Sequence, residues 1–191
     1  MDDSTESPVS QAASGVGEVQ VVAARPMGPA DFAFAGLQAG MLGVIFLLIW
    51  VGVDASWSRR GFWSEENLFA SLFYGSDALR AGLSSRTLPG LAIYLMTYSA
   101  LGAIFAVAAA NRLPPFRRLR AAFIFSLGWF YFSFHLLLKA AIPLAYLLYA
   151  DRPMLVGHLV YGAFIARFQS YLPAVQFAPA APPVIEPPVE G

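Results

Sequence analysis

Apolar residues in this chain are gathered into long runs. The first run, FAFAGLQAGMLGVIFLLIWVGV at about 32–53, contains no charged residue, and further runs follow at about 88–110, 121–142 and 154–168. About 20 residues of helix, at a rise of about 1.5 Å each, cross a hydrocarbon core of roughly 30 Å. Lipid offers no partner to backbone N–H and C=O groups, so a crossing segment must be helical. The pattern predicts an all-α fold, a four-helix transmembrane bundle.

Helix start and stop signals lie at the edges of these runs. Thr87-Leu88-Pro89 precedes the second run, and proline is well placed in a first helical turn. Asn111-Arg112-Leu113-Pro114-Pro115 ends that run, and Pro143 interrupts the third. Asp151-Arg152-Pro153 opens the fourth. We expect 143–150 to lie at the membrane interface.

The segments outside the runs are polar. Residues 1–29 and the Pro-rich 173–191 are predicted to be disordered tails around a transmembrane domain at 30–172. Within the connection 54–86, Ser64 is a candidate helix cap, and apolar side chains recur on one face of the following turns: Leu68, Phe69, Leu72 and Phe73. This stretch is too short to span a bilayer. It predicts a short interfacial helix between spans 1 and 2.

Composition agrees with a membrane protein and excludes several kinds of binding and catalysis. Of 191 residues, 58% are hydrophobic and 13% are charged, whereas soluble domains carry roughly 25% charged residues. The zero formal net charge gives no reason to expect nucleic-acid binding. The absence of cysteine excludes disulfides and thiol catalysis. The acidic start, Met1-Asp2-Asp3, lacks the positive region of a secretory signal.

Positive charge indicates the orientation. The short loop 111–120 carries Arg112, Arg117, Arg118 and Arg120, which predicts a cytoplasmic loop and therefore cytoplasmic termini. The opposing connection also has four arginines, spread over more than thirty residues: Arg59, Arg60, Arg80 and Arg86. We expect a multi-pass membrane protein in this orientation.

Small residues recur at four-residue spacing in the predicted spans, as in GxxxG packing motifs. The candidate helix-packing residues are Gly36, Gly40 and Gly43 in the first span, Gly102 and Ala106 in the second, and Gly162 and Ala166 in the fourth. Small side chains allow helix backbones to approach closely. The stripes predict packing inside one bundle, or alternatively a docking face for a partner protein's helix.

Ionisable groups inside the spans are candidates for ligand binding. His135 and Lys139 are four residues apart and share a helix face, Tyr131 lies one turn deeper, and His158 lies in the fourth span. Such groups are costly in lipid and face a protein interior or a cavity. They could bind a quinone, haem b or lipid headgroup. The alternative is structural: Lys139 reaches the headgroups and each histidine bonds a backbone carbonyl.

Motifs for catalysis are missing. The chain has no HExxH, GxSxG, P-loop or GxGxxG pattern, and no predicted span contains Asp or Glu. Glu65 and Glu66 fall in a predicted first helical turn, where the helix dipole favours anions. We expect no enzyme, no catalytic residue and no metal site.

Three short motifs carry a resemblance to a known group. Trp63-Ser64-Glu65-Glu66-Asn67-Leu68, Phe73-Tyr74-Gly75 and Gly157-His158-Leu159-Val160-Tyr161-Gly162 resemble segments of a group of bacterial four-span membrane proteins that has no known activity. The resemblance covers about 32–172. It implies topology and a bacterial origin, and therefore the bacterial cytoplasmic (inner) membrane, and it implies no mechanism.

Three functional hypotheses follow. The first is a non-enzymatic accessory or structural component whose partners are the lipid bilayer and other membrane subunits. The second is a quinone-, haem- or lipid-binding protein that uses His135, Lys139, His158 and Tyr131. The third is a small oligomeric transporter or channel, disfavoured because coupled ion transport usually needs intramembrane carboxylates.

Overall fold

Helices account for all the regular structure in the part of the chain that the computed structural model describes, residues 27–80, 82–110, 112–141 and 151–173. The elements are α1 (Pro29–Trp57), α2 (Ser64–Tyr74), α3 (Ser76–Leu79), α4 (Thr87–Ala109), α5 (Pro115–Phe130), α6 (Lys139–Ala141) and α7 (Asp151–Ile165). A π-helical segment, Tyr131–Leu138, joins α5 to α6, and a 3₁₀ turn, Phe168–Tyr171, follows α7.

Three of these helices are long and apolar enough to cross a membrane: Pro29–Trp57, Thr87–Ala109 and the continuous Pro115–Ala141. The prediction of a helical protein with membrane-length apolar segments is confirmed. The fourth expected span is the 15-residue α7. At about 1.5 Å per residue it is about 22 Å long, shorter than a typical hydrocarbon core of about 30 Å. Helix length therefore does not establish a fourth crossing.

Helix boundaries differ from the sequence prediction at the third span. The helix begins at Pro115 and not near 121, because Pro115 occupies a first-turn position that its fixed φ suits. The arginine-rich segment is therefore mostly the first turns of α5. The expected tails, apart from 27–29 and Pro173, lie outside the described residues, and so do Pro143 and the interfacial segment 143–150.

Helix α1 is the centre of the bundle, and it packs against α4 and α7. A Cβ on Gly36 would collide with the Gly102 carbonyl oxygen and the Ala106 methyl group of α4. A Cβ on Gly40 would lie 2.6 Å from the Tyr98 carbonyl oxygen. Early residues of α1 thus meet late residues of α4, so the two helices run antiparallel with their backbones in close contact.

Helices α4 and α5 are held apart at one end. Helix α5 packs against α7, where Gly162 faces Phe123. In the middle of α5 the rings of Phe105 and Phe125 are 5.6 Å apart, which joins the later part of α4 to α5. Beyond the end of α5, towards the start of α4, helix α4 packs against α1 while the described continuation of α5 does not contact α4 closely. The two helices therefore leave a gap there.

Helix α2 lies over this gap and against α4. A Cβ on Gly90 of α4 would collide with the Glu66 carbonyl oxygen, so only glycine allows this approach. Leu68 is buried, while Phe73 on the expected apolar face is 62% exposed. The predicted cap at Ser64 is wrong, because Ser64 is the first residue of α2. The capping position is Trp63, whose side chain makes no capping hydrogen bond.

Candidate functional site

The structure does not bring the four residues of the predicted cluster, Tyr131, His135, Lys139 and His158, together in one site. The Tyr131 side chain is exposed and stacks on the His135 ring at 5.2 Å, and Lys139 is exposed. His158 is fully buried. The Phe130 ring contacts both imidazoles, at 5.6 Å from His135 and 5.1 Å from His158. His158 has no described hydrogen bond to the other three, so its neighbours define a separate site.

His158 has a hydrogen bond at each ring nitrogen. Nδ1 is 2.8 Å from the Met154 carbonyl oxygen, and Nε2 is 2.7 Å from the Tyr98 hydroxyl. A carbonyl only accepts, so Nδ1 carries a proton. A second proton on Nε2 would create a buried imidazolium with no described carboxylate beside it, so Nε2 accepts from Tyr98. The imidazole is therefore neutral in this arrangement. It acts as a fixed acceptor that orients the Tyr98 hydroxyl.

Further hydrogen bonds tie this pair to three helices. The Tyr161 hydroxyl donates to the Tyr98 carbonyl at 2.7 Å, and the Ser126 hydroxyl donates to the His158 carbonyl at 2.5 Å. The Phe134 ring meets the His158 ring edge to face at 5.7 Å. In a low-dielectric interior such a satisfied network rigidifies its members. The network fixes α4, α5 and α7 around Tyr98.

Two cofactor hypotheses can be compared with this geometry. A haem iron needs a free imidazole nitrogen, and both nitrogens of His158 already have partners. Within the described ranges there is no group of three or more His, Cys, Asp or Glu side chains placed to hold a metal ion. The described arrangement thus offers a haem no ligand at His158, whereas a hydrogen-bonded organic ligand needs no free nitrogen there.

Tyr98 also lines a cavity of about 260 Å³ in the gap between α4 and the continuation of α5. The described lining residues are apolar or aromatic except for two small hydroxyl side chains, and none is charged: Phe69, Leu72, Ile93, Tyr94, Thr97, Tyr98, Trp129, Ser133, Phe134, Leu137, Leu138 and Ala141. Leu72 and Leu137 are each about half exposed and mark the mouth. The cavity is thus an aromatic pocket open to the surroundings of the bundle.

The far wall of the cavity is the π-helical segment. The Ser133 hydroxyl donates to the Trp129 carbonyl at 2.7 Å, so a side chain of this segment satisfies a backbone acceptor one turn earlier. π-Helical turns are rare and frequently occur at functional sites. The Trp129 indole N–H is buried beside the Tyr98 hydroxyl, yet it makes no hydrogen bond of normal geometry to any described residue. A bound acceptor would reach this donor after a small shift of the indole ring.

A second polar cluster joins the end of α1 to α2. Arg60 lies 3.2 Å from Glu65 Oε1 and 3.3 Å from Asp54 Oδ2. Burial raises the pKa of Glu65 to about 7, although the Arg60 charge opposes this rise. Burial also raises the pKa of Glu66 to about 7, with the Glu65 charge adding to the effect. Glu65 and Glu66 lie in the first turn of α2, as predicted, but the sequence did not indicate that their side chains are buried.

The small residues lie at contacts within the chain. Gly36 and Gly40 face Gly102 and Ala106, and Gly43 faces Tyr161. Gly162 faces Phe123, and Ala166 is buried. Packing inside one bundle therefore accounts for these positions in the structure.

Sequence reasoning missed Tyr98 and Gly90 as parts of the site. Tyr94 and Tyr98 are four residues apart, and this spacing of polar-tipped aromatics is the signal that could have found Tyr98. Comparison with known proteins adds no relative, since no family model, curated protein or solved structure matches the chain.

Proposed function

We propose that this protein binds a small neutral molecule with a hydrogen-bond acceptor, such as a quinone ring, in the cavity beside Tyr98. The observation that carries the proposal is the buried N–H of Trp129, a residue that lines the cavity, which makes no hydrogen bond of normal geometry to any described residue. A buried unsatisfied donor costs about 1–3 kcal/mol, which a ligand carbonyl would recover. The Tyr98 hydroxyl donates its only hydrogen to His158 Nε2, so it offers no second donor to such a ligand.

The lining supports a neutral ligand. No charged side chain among the described lining residues borders the cavity, so a phosphate, a carboxylate or the propionates of haem would enter without a counter-charge from them. The volume of about 260 Å³ is slightly below the roughly 300–1,000 Å³ of typical ligand pockets. Such a cavity suits one ring, with any tail leaving past Leu72 and Leu137. The aromatic walls match a planar group.

The membrane setting is part of the proposal. The chain would cross a bacterial cytoplasmic membrane four times, with α7 as the shortest crossing and α2 at the interface. The burial of His158 and Tyr161 on α7, between α1 and α5, supports a helix that is integral to the bundle. Arg112, Arg117 and Arg118 near the start of α5 support a cytoplasmic position for that end and for both termini.

An accessory role beside partner subunits is the second candidate. Its original support, the small-residue stripes, is weaker because Gly36, Gly40 and Gly102 contact each other's helices. Its remaining support is the run of exposed large side chains along α1, including Phe34, Phe46 and Trp57. Native electrophoresis with mass spectrometry separates the candidates. A protein that migrates alone near 20.6 kDa plus detergent would contradict the accessory role. It would also contradict a transporter that needs an oligomeric pore.

The test of ligand binding uses a short-chain benzoquinone and the purified full-length protein in mild detergent. Thr97→Phe fills the cavity, since Thr97 lines it. Met96→Phe adds the same ring to the neighbouring position, which is 74% exposed. Saturable quenching of tryptophan fluorescence should be lost in Thr97→Phe and kept in Met96→Phe.

A third variant addresses the polar contact. Trp129→Phe removes the free N–H and should weaken binding about tenfold, the value of one ordinary hydrogen bond. Because this change also removes a fluorophore, its affinity is measured by equilibrium dialysis. Equal affinity of wild-type protein and Thr97→Phe would refute binding in this cavity. Absence of any co-extracted or added quinone on the wild-type protein would refute the quinone.

A further inference from the structure

A second cleft lies at the opposite end of the bundle, where α5 begins and α7 ends. Its volume is about 370 Å³. The lining combines two guanidinium groups with apolar side chains: Pro115, Arg118, Leu119, Ala163, Phe164, Ala166 and Arg167. A cleft at the ends of two membrane helices lies at headgroup level in a bilayer. It is separate from the aromatic cavity and does not depend on the function proposed for that cavity.

Arg118 is the unexplained group in this cleft. Its Nε is buried and has no hydrogen-bond acceptor among the described residues. The guanidinium lies over the Phe168 ring at 5.6 Å from the ring centroid, which holds the side chain in place. Neither Arg118 nor Arg167 forms an ion pair in the described ranges. A fixed guanidinium with an unsatisfied N–H offers hydrogen-bond donors and a positive charge to an anion.

The surroundings add positive potential. Arg112, Arg117 and Arg120 lie at the same end, and the N-terminus of the 16-residue α5 contributes the positive end of its dipole. The described carboxylate at this end is Asp31, which accepts a hydrogen bond from the Gly28 N–H at 2.7 Å. Among the described residues, five arginines against one carboxylate make this end positive.

The other side of the cleft is apolar. Leu119, Ala163 and Phe164 line it, and Phe164 stacks on Phe46 of α1 at 4.8 Å. A free inorganic anion would leave this surface unused, whereas a phospholipid would place its phosphate at the arginines and an acyl chain along the aromatic rings. Basic pockets between helices on the cytoplasmic side bind anionic headgroups in this way. We propose that the cleft holds the phosphate of an anionic phospholipid through Arg118 and Arg167.

The experiment counts lipids bound to the full-length protein by native mass spectrometry in neutral detergent. Phosphatidylglycerol is titrated against phosphatidylcholine. The wild-type protein should retain one phosphatidylglycerol with about tenfold or greater preference, as expected for charge-assisted hydrogen bonds. Arg118→Gln with Arg167→Gln should abolish this preference. The control, Arg59→Gln with Arg80→Gln, removes two exposed arginines from the other end and should keep it.

Two further measurements keep the outcome clear. Arg118→Lys keeps the charge but removes the Nε donor, and about tenfold weaker binding is expected even if the double variant fails to fold. Inorganic phosphate at millimolar concentration should not displace the lipid. Displacement by phosphate would overturn the lipid and indicate a site for the free anion. Unchanged binding in Arg118→Lys or in a folded double variant would overturn the site itself.

Discussion

Glu66→Gln should make the stability of this protein less dependent on pH. The Glu66 side chain is 1% exposed, and its Oε2 has no hydrogen-bond partner in the described part of the chain. Its carbonyl oxygen faces Gly90, so α2 cannot tilt to expose the carboxyl without leaving α4. Glutamine has nearly the same shape and stays neutral. The change therefore removes the ionisation and keeps the packing.

The magnitude follows from the pKa. Burial raises the pKa of Glu66 from 4.5 to about 7, and each unit corresponds to about 1.4 kcal/mol. Below the lower value the carboxyl is protonated in both states, and its full contribution to stability is present. As pH rises towards 7 the unfolded chain ionises first, so the wild-type protein loses up to about 3 kcal/mol. Above the folded pKa the loss is complete.

The assay is equilibrium unfolding in mixed micelles at increasing dodecyl sulfate fraction, followed by circular dichroism. Wild-type protein and Glu66→Gln should be equally stable near about pH 4.5, and the variant should be up to about 3 kcal/mol more stable near about pH 8. Asp77→Asn is the control, because the Asp77 side chain is 74% exposed. If Glu66→Gln and wild-type protein differ by the same amount at both values, Glu66 does not titrate as its burial requires.

Three other predictions concern packing, the polar network and topology. Gly90→Ala should destabilise the fold by about 1–3 kcal/mol because the methyl group meets the α2 backbone, whereas Gly128→Ala, with nothing within 4 Å, should be neutral or stabilising in the same unfolding assay. Tyr98→Phe leaves the buried His158 Nε2 without its donor and should cost about 1–3 kcal/mol. Tyr131→Phe, at an exposed side chain, should cost little in that assay, and equal costs would contradict the assigned hydrogen bond. Phe116→Cys, the sole cysteine in this chain, should escape an impermeant reagent added outside intact cells and react in inverted vesicles; labelling from outside would reverse the orientation.

The candidate site was only partly accessible from the sequence. His158 stood out because an ionisable group inside an apolar run is costly in lipid, and the structure gives it buried hydrogen-bond partners. The sequence placed His158 in one site with His135 and Lys139 because the latter two share a helix face. The rotation of α5 relative to α7 about their long axes is not encoded in that local pattern. That rotation turns Phe130 and Phe134 towards His158. Tyr98 carries no charge, so hydropathy gave it no weight.

The sequence by itself determined the helical class and the existence of three membrane-length helices, because a long uncharged apolar run has only one way to satisfy its backbone in lipid. It also marked the small residues at which helices approach. Tertiary structure decided which helices pair, since Gly36 meets Gly102 through contacts across more than sixty positions. It also decided the burial of Glu66 and the gap that forms the aromatic cavity. Local patterns specify a helix and its faces, whereas cavities and shifted pKa values arise where faces of distant helices meet or fail to meet.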